Sequence, residues 1–307
     1  MTQKYAPGLV SIGFPVYNGA AKMRPALESL LNQTYRDIDL IISDNASTDD
    51  TETVCLQYAA KDSRIRYFRQ PTNLTQVPNI EFVMREARGE YFVLGADDDW
   101  WDPRFAEKLK NILDTHLGYG SAIGSVRRIY VDGDVRDEVI YRGEFDVTHK
   151  SFAEVFDMMS SERPIHWFCG VFRTKLLQDL LHIPFPKCKA HDRVFMCELA
   201  LTSHIYSIPE ILHHKTVYRQ TAADRYKNES IGNQYRDPRA HSKYVWAIVS
   251  RLLRSRNIPL LRKFWLYPYH LTAFVWRNRV FLREWFPKSF DFTLRVKGVL
   301  KQHNGNV

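Results

Sequence analysis

The chain has 307 residues, 45% of them hydrophobic and 25% charged, an ordinary globular composition with enough apolar content for one large core or two modest ones. The net charge of +8 is uneven: residues 225–307 hold 17 Lys+Arg against 4 Asp+Glu, a net of +13, which leaves residues 1–224 with 26 against 31, a net of −5. The four cysteines, Cys55, Cys169, Cys188 and Cys197, form no CxxC pair and no zinc spacing, and no run of 18 apolar residues occurs, which argues against a disulfide scaffold, a zinc module and a membrane-spanning helix.

Free thiols and a first stretch (Met1 to Pro7) without a basic-then-apolar leader pattern lead to the expectation of a cytoplasmic protein. In chain order, Val10 to Asn18 reads as a first strand ended by Pro15 and a loop, and residues 22–33 place Leu27, Leu30 and Leu31 at helical spacing. Asp39 to Asn45 is a second apolar run closing on a carboxylate, followed by the acidic, capped helix start Ser47 to Glu52, with the helix running to about Lys61. Ile65 to Phe68 is a third strand, Asn79 to Ala87 a helix, and Tyr91 to Leu94 a fourth strand. Strands alternating with helices predict an α/β fold with a doubly wound, mostly parallel sheet.

The fourth strand empties into Asp97-Asp98-Asp99-Trp100-Trp101-Asp102-Pro103, three carboxylates followed by an aromatic pair and a proline that opens the helix Phe105 to Asp114. Adjacent like charges raise one another's pKa, so such a tip is tolerable where solvent screens it or a cation neutralises it. Beyond it, Ser121 to Val126, Arg128 to Val131 and Val139 to Tyr141 suggest antiparallel strands around the turn Asp132-Gly133-Asp134. Residues 151–160 read as a helix, Trp167 to Phe172 as a strand, Lys175 to Leu181 as a helix, and His191 to Ala200 as a helix with Asp192 near its start. No internal repeat or low-complexity linker divides the chain. From His241 to Val299 basic and aromatic residues interleave, a pattern suited to amphipathic helices on an anionic, greasy surface.

Three ordered motifs together resemble the family 2 inverting glycosyltransferases of the GT-A fold, over roughly Val10 to Tyr218. They are Val10 to Asn18, Ser43 to Thr51, and Gly89-Glu90-Tyr91 with Asp97 to Pro103. The resemblance implies a GT-A catalytic domain over 1–224, with a nucleotide-sugar half at about 8–115 and an acceptor half at about 116–224. Residues 225–307 would follow as a basic, aromatic helical extension. It implies transfer of a sugar from a UDP- or dTDP-linked donor to a saccharide acceptor, lipid-linked by this reading, in surface polysaccharide or glycolipid synthesis. Phe14, Pro15 and Tyr17 would line the base, and Asp44 would accept its imide N–H beside Asn45. Asp44 has a plain structural alternative as a helix N-cap shared with Ser47.

The departing nucleotide gains negative charge, so a divalent cation on hard oxygen ligands is implied, Mg2+ or Mn2+ on Asp97, Asp98 and Asp99. Which of these carboxylates meets metal, ribose or diphosphate is left open by the sequence, and Ala96 stands where many relatives carry a further aspartate. Asp192, in His191-Asp192-Arg193, is the implied general base, with helix capping and pairing to Arg193 as the alternative. Arg219, in Val217-Tyr218-Arg219-Gln220-Thr221, is the implied diphosphate clamp. Where that late motif ends in a metal-completing histidine, this chain has Thr221, and its histidines lie upstream at His213 and His214.

Rival readings fit less of the chain. A dinucleotide-dependent dehydrogenase needs GxGxxG after the first strand, where only Gly13 and Gly19 occur, and a nucleotidyltransferase needs a glycine-rich basic loop of which Tyr17 to Lys22 is a poor version. For the extension, an anionic membrane surface at the inner face of the plasma membrane suits the +13 charge and the tryptophans. Interleaved Arg with Trp and Tyr would also suit a non-catalytic nucleic-acid-binding module, the less favoured alternative, so nucleic acid is not the expected partner; packing on the core or an oligomer interface is a further alternative.

Overall fold

A computed structural model describes residues 5–132, 135–141, 168–188, 190–218, 239–261 and 263. The first half alternates as read: β1 (Ala6–Val16), α1 (Met23–Leu31), β2 (Ile38–Asp44), α2 (Thr51–Lys61), β3 (Ile65–Arg69), α3 (Gln76–Glu86), β4 (Gly89–Leu94). After β4 come the two-residue β5 (Trp100–Trp101), α4 (Phe105–Thr115), β6 (Tyr119–Asp132) and β7 (Val135–Tyr141). β8 (Gly170–Arg173), α5 (Thr174–Leu180), α6 (His191–Thr202), β9 (His204–Tyr218) and α7 (Ala240–Arg254) complete the described elements. The strands form one sheet in the order β3-β2-β1-β4-β8-β6-β9-β5, with β7 on β6.

β1, β2, β3 and β4 are mutually parallel, and the residues that make them so are apolar on both faces, as a strand covered by helices on two sides requires. Val10, Ile12, Phe14 and Val16 face one core with Leu27 and Leu30 of α1, Cys55 of α2 and Leu109 of α4. Ile41 and Phe92 face the other with Val83 of α3, Leu177 of α5, Phe195 of α6 and Ile248 of α7. The second half of the sheet is mixed: β8 runs antiparallel to β4 and β6, while β9 runs parallel to β6.

Three elements differ from the sequence expectation. The stretch from Ser121 to Val131 is one strand rather than two, because both its edges are paired, with β7 on one side and β9 on the other. β9 itself was not expected. Its register against β6 shifts between Ile123/Ser207 and Ser125/Ile211, so a bulge takes up Pro209 and hides the strand pattern. The described helix of the basic stretch, α7, is not a free amphipathic surface, since Tyr244, Val245, Ile248, Val249 and Leu252 are buried. The expected helix over 151–160 lies outside the described residues.

Because β2 and β3 lie on one side of β1 and β4 on the other, the order in which successive strands are added reverses between the parallel neighbours β1 and β4. That is the switch point at which open α/β sheets bind ligands, beyond the carboxyl ends of the strands. The loops that leave β1 and β4 there carry residues 17–22 and 95–99.

Candidate active site

The floor of the crevice is tied together by backbone. The Gly95 amide donates to the Gly13 carbonyl at 2.8 Å and the Asn45 amide to the Val16 carbonyl at 2.9 Å, joining the ends of β4, β1 and β2. Asn18 (φ 49°) and Ala46 (φ 57°) hold left-handed backbone, which costs a residue with a Cβ about 1 kcal/mol or more and persists where surroundings over-determine it. The Asn18 amide donates to Ser47 Oγ at 2.9 Å, its Oδ1 accepts from the Thr48 amide at 2.9 Å, and the Gly19 amide donates to Thr51 Oγ1 at 2.9 Å.

On the β2 side, Asp44 is fully buried: Oδ1 accepts the Ser47 amide at 2.8 Å, and Oδ2 accepts Tyr67 Oη at 3.0 Å and Arg69 Nη1 at 2.7 Å. The structural alternative for Asp44 is thus realised as a turn rather than a cap, and any base imide has to share or displace these donors. Asn45 is also spent locally, its amide group binding Asn73 Oδ1, the Thr75 carbonyl and the Leu74 amide. Phe14 corrects the expected base wall: it has no exposed surface and packs in the core under Gly95, because alternation along β1 turns Phe14 and Val16 inward. Pro15 and Tyr17 are left on the open side, Tyr17 with 45% exposure.

On the β4 side the three carboxylates have different surroundings. Asp99 is buried, its Oδ2 2.9 Å from His213 Nε2 and 3.6 Å from Lys215 Nζ, and its Oδ1 accepts the Thr216 amide at 3.1 Å. Burial works against its charge, but the His213 bond, Lys215 and that amide outweigh burial and hold it below the usual carboxylate range. His213 stacks on Trp101 with ring centroids 5.0 Å apart and planes 10° apart. Burial disfavours protonation of His213 too, yet neighbouring Cys169 and the Asp99 bond lift it to about 9. Asp97 and Asp98 face the crevice instead, with Lys22 Nζ 3.2 Å from Asp97 Oδ1 and 3.9 Å from Asp98 Oδ2. Burial raises both, and the charge of Asp99 helps push Asp98 up to about 6.

Among the described residues no three His, Cys, Asp or Glu side chains are arranged to hold a metal by themselves. Mg2+ and Mn2+ sites of this class do not need that, since one or two carboxylates complete their shell with phosphate oxygens and water. Two adjacent half-buried carboxylates resisting ionisation fit such an ion. Sequence reasoning missed Lys22, His213 and Lys215 as partners of the acidic tip, although the double histidine opposite a double tryptophan was the available signal.

Asp192 sits in the first turn of α6 with its side chain exposed. The helix ends one residue before β9, whose first residue His204 pairs with Tyr119 at the start of β6. Its opposite end, with Asp192, therefore points toward the carboxyl edge of the sheet, the edge that carries Asp97 to Asp99. Residues 168 and 169 bridge the two: Phe168 packs on Phe195 of α6 at 5.6 Å, and the adjacent Cys169 neighbours His213. Arg219 lies outside the described residues.

The family model described as Glycosyl transferase family 2 matches residues 11–181. An uncharacterized glycosyltransferase of Rickettsia typhi is 41% identical over 109 residues, covering 36% of this chain and 33% of that protein. The putative glycosyltransferase EpsE of Bacillus subtilis is 32% identical over 178 residues, covering 56% of this chain and 64% of that protein. The chain thus spans between a quarter and two thirds of the length of the first curated relatives it matches. S. aureus TarS 1–349, solved in complex with UDP-GlcNAc, superposes with a TM-score of 0.61 at 18% identity over 91% of this chain and 73% of that one. A Pyrobaculum calidifontis mannosyltransferase solved with GDP-Man and Mn2+ gives 0.51 at 14% identity, over 91% and 87%.

Proposed function

Because this chain belongs to glycosyl transferase family 2 and has the GT-A fold, we propose that it is an inverting glycosyltransferase. It takes a sugar from a UDP- or dTDP-linked donor and passes it to a saccharide acceptor carried on lipid. The observation that carries this reading is the pair Asp97 and Asp98, turned into the crevice at the β1/β4 switch point and resisting ionisation there. Complexes of the fold neighbour TarS with UDP and with UDP-GlcNAc support the donor class.

In the proposed site Pro15 and Tyr17 flank the base, while Asp44, through Arg69, Tyr67 and the Ser47 turn, shapes the wall beside it. Asp97 and Asp98 hold Mg2+ or Mn2+, which when bound neutralises charge on the diphosphate, and Asp99 backs them from its pair with His213. Arg219 is the proposed further diphosphate contact. In transfer the acceptor hydroxyl oxygen bonds the anomeric carbon as the bond from that carbon to the phosphate oxygen breaks. The nucleoside diphosphate leaves with that electron pair, and Asp192 takes the hydroxyl proton on the opposite face.

The test is incubation of the full chain with a panel of nucleotide sugars and Mn2+, scoring products. Release of UDP or dTDP with sugar transfer supports the proposal, and pyrophosphate in its place would make the protein a nucleotidyltransferase. Peripheral binding at the cytoplasmic membrane face belongs to the same reading. No helix among the described residues is long and apolar enough to cross a membrane, and the outer side of α7 and the turn after it expose Trp246, Leu253, Leu260 and Leu261 near Arg254 and Arg256. Flotation with vesicles containing anionic lipid, and not with neutral ones, is expected; retention on DNA but not on vesicles would reverse it.

A further inference from the structure

Lys22 stands at the join of the two loops that frame the crevice. Its backbone is fixed, since the Lys22 and Met23 amides both donate to the Gly19 carbonyl, at 3.0 and 2.9 Å, and the Asn18 and Gly19 amides donate to Ser47 in the turn after β2 and to Thr51 at the start of α2. Its side chain is a flexible stem, 38% exposed, ending in an ammonium 3.2 Å from Asp97 Oδ1 and 3.9 Å from Asp98 Oδ2. Two further cations at the strand ends, among the described residues, have partners of their own. Arg69 donates to Asp44 and the Ser47 carbonyl, and Lys215 lies against buried Asp99.

We propose that Lys22 is an exchangeable counter-ion: it competes with a divalent cation for Asp97 and Asp98 and passes to the donor's diphosphate when nucleotide binds, so that metal and nucleotide bind cooperatively. The inference rests on the reading of Asp97 and Asp98 as metal-holding carboxylates. An ammonium and a divalent ion repel one another at the same two carboxylates, so either weakens the other. A half-exposed lysine pair contributes little on its own and is readily given up. A diphosphate drawn to the ion arrives within reach of the Lys22 stem and offers it a second anion, so nucleotide releases the competition. Linkage then requires that metal tighten nucleotide by the same factor.

The experiment counts free Mn2+ by electron paramagnetic resonance during titration of the full-length protein, with and without UDP or dTDP, and needs no turnover. Lys22→Met is expected to bind Mn2+ about fivefold more tightly than wild type without nucleotide and to lose about fivefold of the tightening that nucleotide brings. Lys22→Arg should stay near wild type in both. Unchanged or weaker Mn2+ affinity in Lys22→Met without nucleotide, or undiminished coupling, overturns the proposal. Asp98→Asn separates the two readings. If it loses Mn2+ while Lys22→Met behaves as wild type, the counter-ion proposal alone falls. If Asp98→Asn keeps Mn2+, or no variant takes it up, the metal assignment falls and the proposal with it.

Discussion

His213 Nε2 lies 2.9 Å from Asp99 Oδ2 with both side chains shut away from solvent, so the acidic tip is anchored to β9 through a buried charged pair. The proton on His213 is therefore part of the fold. Its folded pKa, lifted to about 9, lies above the ordinary value near 6.5 of an unfolded chain, so the folded state binds this proton more tightly. The stability it contributes is fully present below about pH 6.5 and is lost as pH rises through about 9, at most about 3 kcal/mol in all. Urea midpoints should fall across that window in wild type and stay flat in His213→Gln. A flat wild-type profile would show that the pair is neutral.

Asp98 and Asp192 should fail in different ways. Asp98→Asn removes a crevice-facing carboxylate, so Mn2+-dependent UDP binding should disappear and turnover with it. Asp192 stands apart on α6, and Asp192→Asn should leave nucleotide binding within about twofold while transfer drops by about 100-fold or more, the usual size of a general-base effect. Isothermal titration and product assays read the two quantities separately. Transfer at the wild-type rate in Asp192→Asn would discard the base assignment.

The parallel half of the sheet was legible because each strand announces itself: Val10 to Val16 and Asp39 to Asp44 are apolar runs cut by loop residues and followed by helical spacing, so local pattern and tertiary fold agree. The acidic tip was legible because charge after an apolar strand is rare. What stayed hidden depended on pairing between distant segments. Trp100-Trp101 reads as a loop until His213-His214 lies beside it, and β9 is masked by Pro209, whose carbonyl is instead taken by Ser125 Oγ at 3.0 Å. Phe14 looked like a base contact because a motif names a stretch, whereas alternation along β1 divides that stretch between core and crevice.

Gly19 tests how closely the β1 loop is fitted to the tip. A Cβ there would lie 2.5 Å from Val16 Cγ2 and 2.9 Å from Asp97 Oδ2. Val16 is buried and has little room to retreat, so Asp97 must move or the loop must open. Gly19→Ala should therefore cost about 1–3 kcal/mol, as overpacking does, and weaken Mn2+ binding at the same time. A thermal-shift midpoint and Mn2+ affinity both equal to wild type would mean that the loop yields freely and does not position Asp97.

Helix α7 is fixed on the core because Arg251 is plugged into it. Its Nε donates to Glu198 Oε2 at 2.6 Å, Nη2 to the Leu180 carbonyl at 2.7 Å, and Nη1 to the carbonyls of Ile183 and Pro184 at 3.0 and 3.2 Å, with both charged side chains buried. Arg251→Met strands the Glu198 charge and three carbonyls, which should cost about 3–5 kcal/mol, whereas replacing both partners by methionine removes the uncompensated charge and should cost much less. Denaturant midpoints of the two single variants and the double variant read this directly. A double variant as unstable as the sum of the singles would mean that the pair is not the anchor. If it is, Arg251→Met should also loosen α7 and reduce flotation with anionic vesicles, while the double variant restores both.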